Sequence, residues 1–245
     1  SGHPVDYTVN QRQTVFDKDD VRAQVRVGTA EQAIAAGAND YLAAVVAEFG
    51  ETEFILSGGI VGPVYLCHTY LGLTNLLAML VEQPDLVEYL TAKLMEQDLK
   101  EIHRLAAAGG DAIFLDDALV TSEVISVAHY ERFALPYTKA LVEEIRRAGH
   151  KAILIYYGGI ADRLEQIASI GADGLIMETT MKSYVNDIDA TVEAIGGRVT
   201  LFANIDPVGC LQNGTEQEVA AEIRRQCAAG SKGRGFVANV ASPIT

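Results

Sequence analysis

Acids, phenols and amides recur in this chain at one kind of place, directly after a short apolar run. Asp116-Asp117 follows Ala112-Ile-Phe-Leu115, Tyr156-Tyr157-Gly158-Gly159 follows Ala152-Ile-Leu-Ile155, and Glu178 follows Gly174-Leu-Ile-Met177. Asn204-Ile205-Asp206, Asn239 and Ser57-Gly58-Gly59 close three further runs. A carboxyl group at such a position can act as acid or base, bind a metal, or hold a cationic substrate group. Neighbouring strand residues point opposite ways, so one of Asp116 and Asp117 is expected to face a site. The other reading is a helix N-cap or a loop brace. Glu178 beside an aspartate would form a carboxylate pair whose pKa values are pushed apart, or else it pairs with a loop cation such as Lys182. Tyr156 or Tyr157 can donate to a developing oxyanion or stack on a flat substrate. Gly158 and Gly159 would let backbone approach a ligand at a helix N-terminus. The alternative there is a tight turn with one tyrosine packed inside.

Other chemistry is poorly represented. Cys67-His68 is a neighbour pair of a possible nucleophile and base, but its spacing reads better as a buried thiol beside a helix-surface imidazole. The three cysteines form no Cys-x-x-Cys pair, and the five histidines are scattered, so no metal site is expected. Sparse cysteine points to a reducing, cytoplasmic setting. With 19 Lys and Arg against 33 Asp and Glu, the net charge is −14, which disfavours nucleic acid as a partner. No apolar stretch is long enough for a membrane span.

The elements that must position these groups alternate. Strands are expected at Glu53–Ser57, Asp111–Asp116, Lys151–Tyr157, Gly174–Glu178, Val199–Asn204 and Gly235–Asn239, with Val5–Val9 as a seventh candidate. Most are apolar throughout, as strands covered on both faces should be. Between them, Leu86, Leu90, Leu94, Ile102 and Leu105 mark one helix, opened by Pro84 and ended by Gly109-Gly110. Another runs over Val127–Ala148, split by Pro136, and a third carries Leu164 and Ile167. Thr215-Glu-Gln-Glu218 is a capping box that opens a helix with Ala220, Ile223 and Cys227 on one face. Earlier, Thr29–Phe49 reads as one alanine-rich helix and Asp17–Asp20 as a solvated loop. Strand and helix alternation with glycine-marked turns implies an α/β fold with a parallel sheet. A single (β/α)8 TIM-type barrel domain over 1–245 is expected, irregular over 1–50 and built of βα units over 51–245. Six or seven strands are too few to close it, and no helix follows the last, so the barrel is expected to be incomplete at one or both ends. An open doubly wound sheet is the alternative. In such barrels the site lies at the C-terminal strand ends, where all the polar residues above fall.

The order of these segments resembles the uroporphyrinogen decarboxylase superfamily. The resemblance rests on Gly62-Pro63 with Tyr70 downstream, Ala107–Asp117, Tyr130–Tyr137, Gly171-Ala-Asp-Gly174, Leu201–Pro207 with Asn213-Gly-Thr215, and Ser242-Pro-Ile-Thr245. It implies a distorted (β/α)8 barrel and one of two activities. One is cofactor-free decarboxylation of a porphyrinogen, which in that family uses an arginine-bearing N-terminal segment that is not visible here. The other is methyl transfer with a corrinoid protein. Some of those methyltransferases bind zinc through a His-x-Cys and a later Cys, positions held here by Ile155, Tyr157 and Ala241, so zinc is not expected. The resemblance therefore implies transfer of a methyl group from a small methylated donor, such as a methoxylated compound, to a corrinoid held by a partner protein. Asp116, Asp117, Glu178, Tyr156 and Tyr157 are the candidate catalytic residues. Tyr70, Gly158, Gly159, Asn204, Asp206 and Asn239 are the candidate substrate contacts. Porphyrinogen decarboxylation is the second reading, and a non-catalytic binding protein on a degenerate barrel the third. A homodimer is implied by family analogy.

Overall fold

The computed structural model describes residues 12–240 of the chain. The candidate strand at Val5–Val9 and the closing Ser242–Thr245 lie outside the described residues, as does Ala241. Three helices come first: α1 (Lys18–Gln24), α2 (Ala30–Ala35) and α3 (Asp40–Phe49). Then β1 (Leu56–Val61), α4 (Pro63–Leu71), α5 (Leu73–Glu82) and α6 (Pro84–Ala107) lead to β2 (Ala112–Asp116). A helical segment follows, made of α7 (Val127–His129), a π-helical turn (Tyr130–Ala134) and α8 (Leu135–Arg147). The remainder alternates as β3 (Lys151–Tyr156), α9 (Leu164–Ser169), β4 (Gly174–Met177), α10 (Ile188–Ile195) and β5 (Thr200–Phe202). A second π-helical turn (Pro207–Gln212), α11 (Glu216–Gly230) and β6 (Phe236–Val237) complete it.

Among the described residues, six strands form one parallel sheet in sequential order, β1 to β6, that does not close on itself. That is the incomplete barrel expected from the sequence. The pleat gives the sheet two faces of different character. Ile113, Leu115, Ala152, Leu154, Tyr156, Leu175, Met177 and Leu201 point toward the helices and are at most 1% exposed. They join one core with Leu90, Leu94, Ile102, Leu141 and Ile145 of α6 and α8. The other face is the barrel lumen. Register sets its rows: Gly59, Phe114, Ile153, Gly174 and Thr200 lie side by side, then Val61, Asp116, Ile155, Ile176, Phe202 and Val237.

Several expectations are corrected. The first strand is Leu56–Val61, so Ser57-Gly58-Gly59 lies inside it and not at its end. A Cβ on Gly59 would come within 2.0 Å of the Phe114 ring, so glycine there makes room for phenylalanine next door. Gly58 takes a positive φ of 135°, where the register against β2 shifts. Thr29–Phe49 is two helices, because Gly37 turns the chain with φ 85°. Asp17 is an N-cap, accepting from the backbone of Asp19 and Asp20, and not part of a loop. The segment over Val127–Ala148 is interrupted just before Pro136, which stands in the first turn of α8. The irregularity is the π-helical turn just before it, where proline's missing N–H leaves the ladder one bond short. The capping box at Thr215 and Glu218 is present.

Candidate functional site

Asp116 ends β2 on the lumen face, beside Val61 of β1 and Ile155 of β3. The pleat that turns it inward turns Asp117 toward the helices. One carboxyl oxygen of Asp116, Oδ1, is sealed from solvent without a hydrogen-bond partner. Burial raises this carboxyl to about 6, although the Ala118 backbone N–H donates to it and opposes the rise. Tyr157 lies one pleat repeat above Ile155 and remains 39% exposed at the mouth. Its hydroxyl is raised first by burial, then by the charges of Asp116 and Glu178. Glu178 stands one repeat above Ile176 and accepts the Thr179 backbone N–H. The structure thus gathers Asp116, Tyr157 and Glu178 into one electrostatic neighbourhood. Tyr184, from the loop after β4, joins it: burial and then the charges of Glu178 and Glu123 raise its phenol.

The other predicted site residues are placed elsewhere. Tyr156 is fully buried on the helix-facing side, its hydroxyl 2.9 Å from that of Tyr130. Asp117 is 1% exposed, with its Oδ2 2.8 Å from Thr138 Oγ1. Gly158 and Gly159 are filled by the protein itself. A Cβ on Gly158 would meet Thr121 at 2.5 Å, and one on Gly159 would meet Ser122 at 2.2 Å and Tyr184 at 2.7 Å. The Gly159 N–H already donates to Glu123. The next helix begins only at Leu164, so the anticipated anion cradle is not formed there. Asp206 is an N-cap, accepting from Val208 and Gly209. Asn204 is a brace, donating to the carbonyls of Glu178 and Asn186. Both line a cavity of about 500 Å³ between α10 and α11. Asn239 continues the lumen-facing series above Val237, with its carbonyl receiving Ile205 N–H. Tyr70 lies in the last turn of α4, half-buried against the core, and its carbonyl receives both the N–H and the hydroxyl of Thr14.

Cys67 is fully buried, hydrogen-bonded to Pro63 O and Thr91, and burial pushes its thiol up to about 12, which leaves it no nucleophilic role. His68 is half-buried, bonded to the Tyr65 carbonyl. Among the described residues no three His, Cys, Asp or Glu side chains are grouped to hold a metal ion, and no single helix is long and apolar enough to cross a membrane.

Two residues that shape the mouth escaped the sequence reading. Asn186 donates to the carbonyls of Gly158 and Glu178 and accepts from Ile160 N–H, tying the loops after β3 and β4 together. Arg163 is completely buried and donates to the carbonyls of Val120 and Ile125, with Asp162 as its ion-pair partner. Asn186-Asp187 before Ile188 is an N-cap signature that could have revealed α10 and its brace.

Comparison with known proteins agrees with this geometry. Residues 11–245 match the family model for uroporphyrinogen decarboxylase (URO-D). The uroporphyrinogen decarboxylase of Coxiella burnetii is 31% identical over 173 residues, which cover 68% of this chain and 45% of that protein. That of Alkalilimnicola ehrlichii is 27% identical over 172 residues, covering 68% and 44%. The methylcobamide:CoM methyltransferase MtbA of Methanosarcina acetivorans is 26% identical over 117 residues, covering 48% and 33%. A solved methyltransferase from Methanosarcina mazei shares the fold, with a TM-score of 0.71 and 19% identity over 84% of this chain and 59% of that one. The chain therefore spans less than half the length of these curated relatives. With the family model covering almost all of it, on a parallel barrel sheet whose polar groups gather at the C-terminal strand ends, the chain belongs to the uroporphyrinogen decarboxylase family.

Proposed function

We propose that this barrel catalyses methyl transfer from a small methylated donor to a corrinoid carried by a partner protein, with Asp116 as the acid that protonates the leaving oxygen or nitrogen. The observation that carries the reading is the Asp116 carboxyl: lumen-facing, with one oxygen unpartnered, and held up to about 6 by burial. An acid in that range still carries protons near neutral pH and can give one to a poor leaving group. The corrinoid would supply the cobalt nucleophile that takes the methyl group. Asp116 delivers its proton to the atom left behind and is recharged from solvent. Tyr157 and Glu178 border the same mouth, where Tyr157 can donate a hydrogen bond to the donor and Glu178 can orient it. Asn239, in the lumen-facing series, is the proposed further contact, and Tyr70, packed against the core, is not one.

Decarboxylation of a porphyrinogen is the second reading, favoured by the relatives that carry that name. The electrostatics of the mouth weigh against it. The charges felt by Tyr157 and Tyr184 there are the acids Asp116, Glu178 and Glu123, unsuited to a substrate rich in carboxylates. Arg198 and Arg234 stand just before β5 and β6, at the opposite ends of the strands, and Lys232 pairs with Asp189, which leaves Lys182 of the loop after β4 as a cation on the side of the mouth.

The test is an anaerobic absorbance assay of the full-length protein with Co(I) cobalamin or a corrinoid protein, against methoxylated aromatics, methanol and methylamines. Loss of the Co(I) absorbance with one donor class supports methyl transfer. No loss across the panel, with the same Co(I) still reactive toward methyl iodide, would sink it and favour decarboxylation or a binding role.

A further inference from the structure

Asp117 sits where four elements meet behind the mouth. Its Oδ2 is 2.8 Å from Thr138 Oγ1 on α8. Its Oδ1 packs against the Cα of Gly62, at the start of α4, where a Cβ would come within 2.1 Å. Its backbone N–H donates to Ile155 on β3, and the Asp116 carbonyl receives the Gly62 N–H. Thr138 Oγ1 also lies 3.1 Å from the Ala134 carbonyl. A hydroxyl carries one proton. If Asp117 is ionised, Thr138 faces two acceptors and serves one. If Asp117 is protonated, the set closes: Asp117 donates to Thr138, and Thr138 donates to Ala134 O.

The charged neighbours favour the protonated form. On its own strand stands Asp116. From α6 comes Asp98, with Glu101 beside it; burial, then the charges of Asp117 and Glu101, raise the Asp98 carboxyl to about 8. Asp98 occupies the buried stripe of α6 in series with Leu90, Leu94 and Ile102, and its Oδ2 has no partner. Tyr156 on β3 and Tyr130 in the π-helical turn are phenols within reach of the Asp117 field. Arg163 lies over the Tyr130 ring at 5.2 Å, and its donors are taken by Val120, Ile125 and Asp162. An ionised Asp117 would be a buried charge with a single hydroxyl donor and the Asp116 carboxyl beside it, which is strongly unfavourable.

We propose that Asp117 is a neutral carboxylic acid in the folded protein, a positioning residue whose O–H to Thr138 latches the end of β2, and Asp116 with it, onto α8 and α4. The catalytic consequence rests on the reading of Asp116 above, but the latch holds whichever reaction the barrel performs. Burial, and then the charge of Asp116, holds the Asp117 carboxyl at about 7 against the opposing Thr138 hydrogen bond. An unfolded aspartate loses its proton near about 4. Between those values the native state binds the extra proton, so the Asp117 contribution to stability falls as pH rises toward 7 and is level above it.

The experiment uses the full-length protein with Asp117→Asn, Asp117→Ala and Thr138→Val, read by thermal melts across this pH range and by difference infrared spectroscopy. Asparagine offers an N–H to Thr138 where the acid offers O–H. Asp117→Asn is expected to fold, to match wild type in Tm at about pH 5, and to lose less Tm as pH rises. Asp117→Ala is expected to lower Tm throughout. The carbonyl-stretch band of a protonated carboxylic acid should lose one component in Asp117→Asn and shift in Thr138→Val. An Asn variant as damaging as Ala at low pH, or an infrared band unchanged in both variants, overturns the proposal. These readouts do not depend on turnover, so a failed methyl-transfer assay leaves them interpretable.

Discussion

At the end of β2 the same residue type meets two different surroundings one position apart. Asp116 looks into a lumen walled by Val61 and Ile155 and open toward the mouth, while Asp117 looks into close-packed helices and is 1% exposed. Burial raises both carboxyls, to about 6 and about 7. The routes differ. Asp116 has an oxygen with no partner, whereas Asp117 is held by Thr138 and Gly62. Similar proton affinity can thus accompany opposite roles: a group that can release its proton to a substrate, and one that keeps its proton to hold structure. Exposure and partners separate them where the pKa does not.

The largest test of that contrast is Asp116→Asn. On the proposed mechanism it lowers turnover by ~10²–10⁴-fold while Tm holds or rises above about pH 6, since the neutral amide removes the cost of burying a charge there. In wild type the acid form is the active one, so activity should fall as pH rises through about 6, and the Asn variant should lose that limb. Full turnover in the variant would remove Asp116 from the chemistry. Next comes the lumen itself. Gly59→Ala drives a methyl group into Phe114 and should cost about 1–3 kcal/mol in a denaturant titration, recovered largely by adding Phe114→Leu. A harmless Gly59→Ala would mean that the lumen row is not packed as described. The smallest effect concerns the tyrosines. Tyr156→Phe loses the bond to Tyr130 and should cost about 1 kcal/mol of stability with turnover intact. Tyr157→Phe should do the reverse, and identical behaviour of the two would erase the distinction between the faces.

The repeating units from β2 onward were legible because strands covered on both faces are continuous apolar runs with sharp glycine and polar ends. β1 was misplaced because Gly58-Gly59 carries the signature of a turn. Only the partner strand's Phe114 explains glycine inside a strand, and no local pattern contains that information. α10 was missed because it has eight residues, short for periodicity to show, although Asp187 caps it. The polar mouth was visible as a set of strand-end residues. Which of Asp116 and Asp117, or Tyr156 and Tyr157, faces inward depends on pleat phase and register, fixed by tertiary pairing. Asp98 was within reach of sequence reasoning, since an acid four residues from Leu94 and from Ile102 interrupts an apolar helical stripe.

The Asn186 amide bonds at once to Gly158, Ile160 and Glu178, while Asn204 grips the carbonyls of Glu178 and Asn186. Loops joined through one side chain cannot fluctuate separately. Detaching the segment after β3 breaks the bonds that hold the segment after β4. Both should therefore open with a common free energy, and the Ile160 amide, though in a loop, should exchange its hydrogen with solvent as slowly as that shared opening permits.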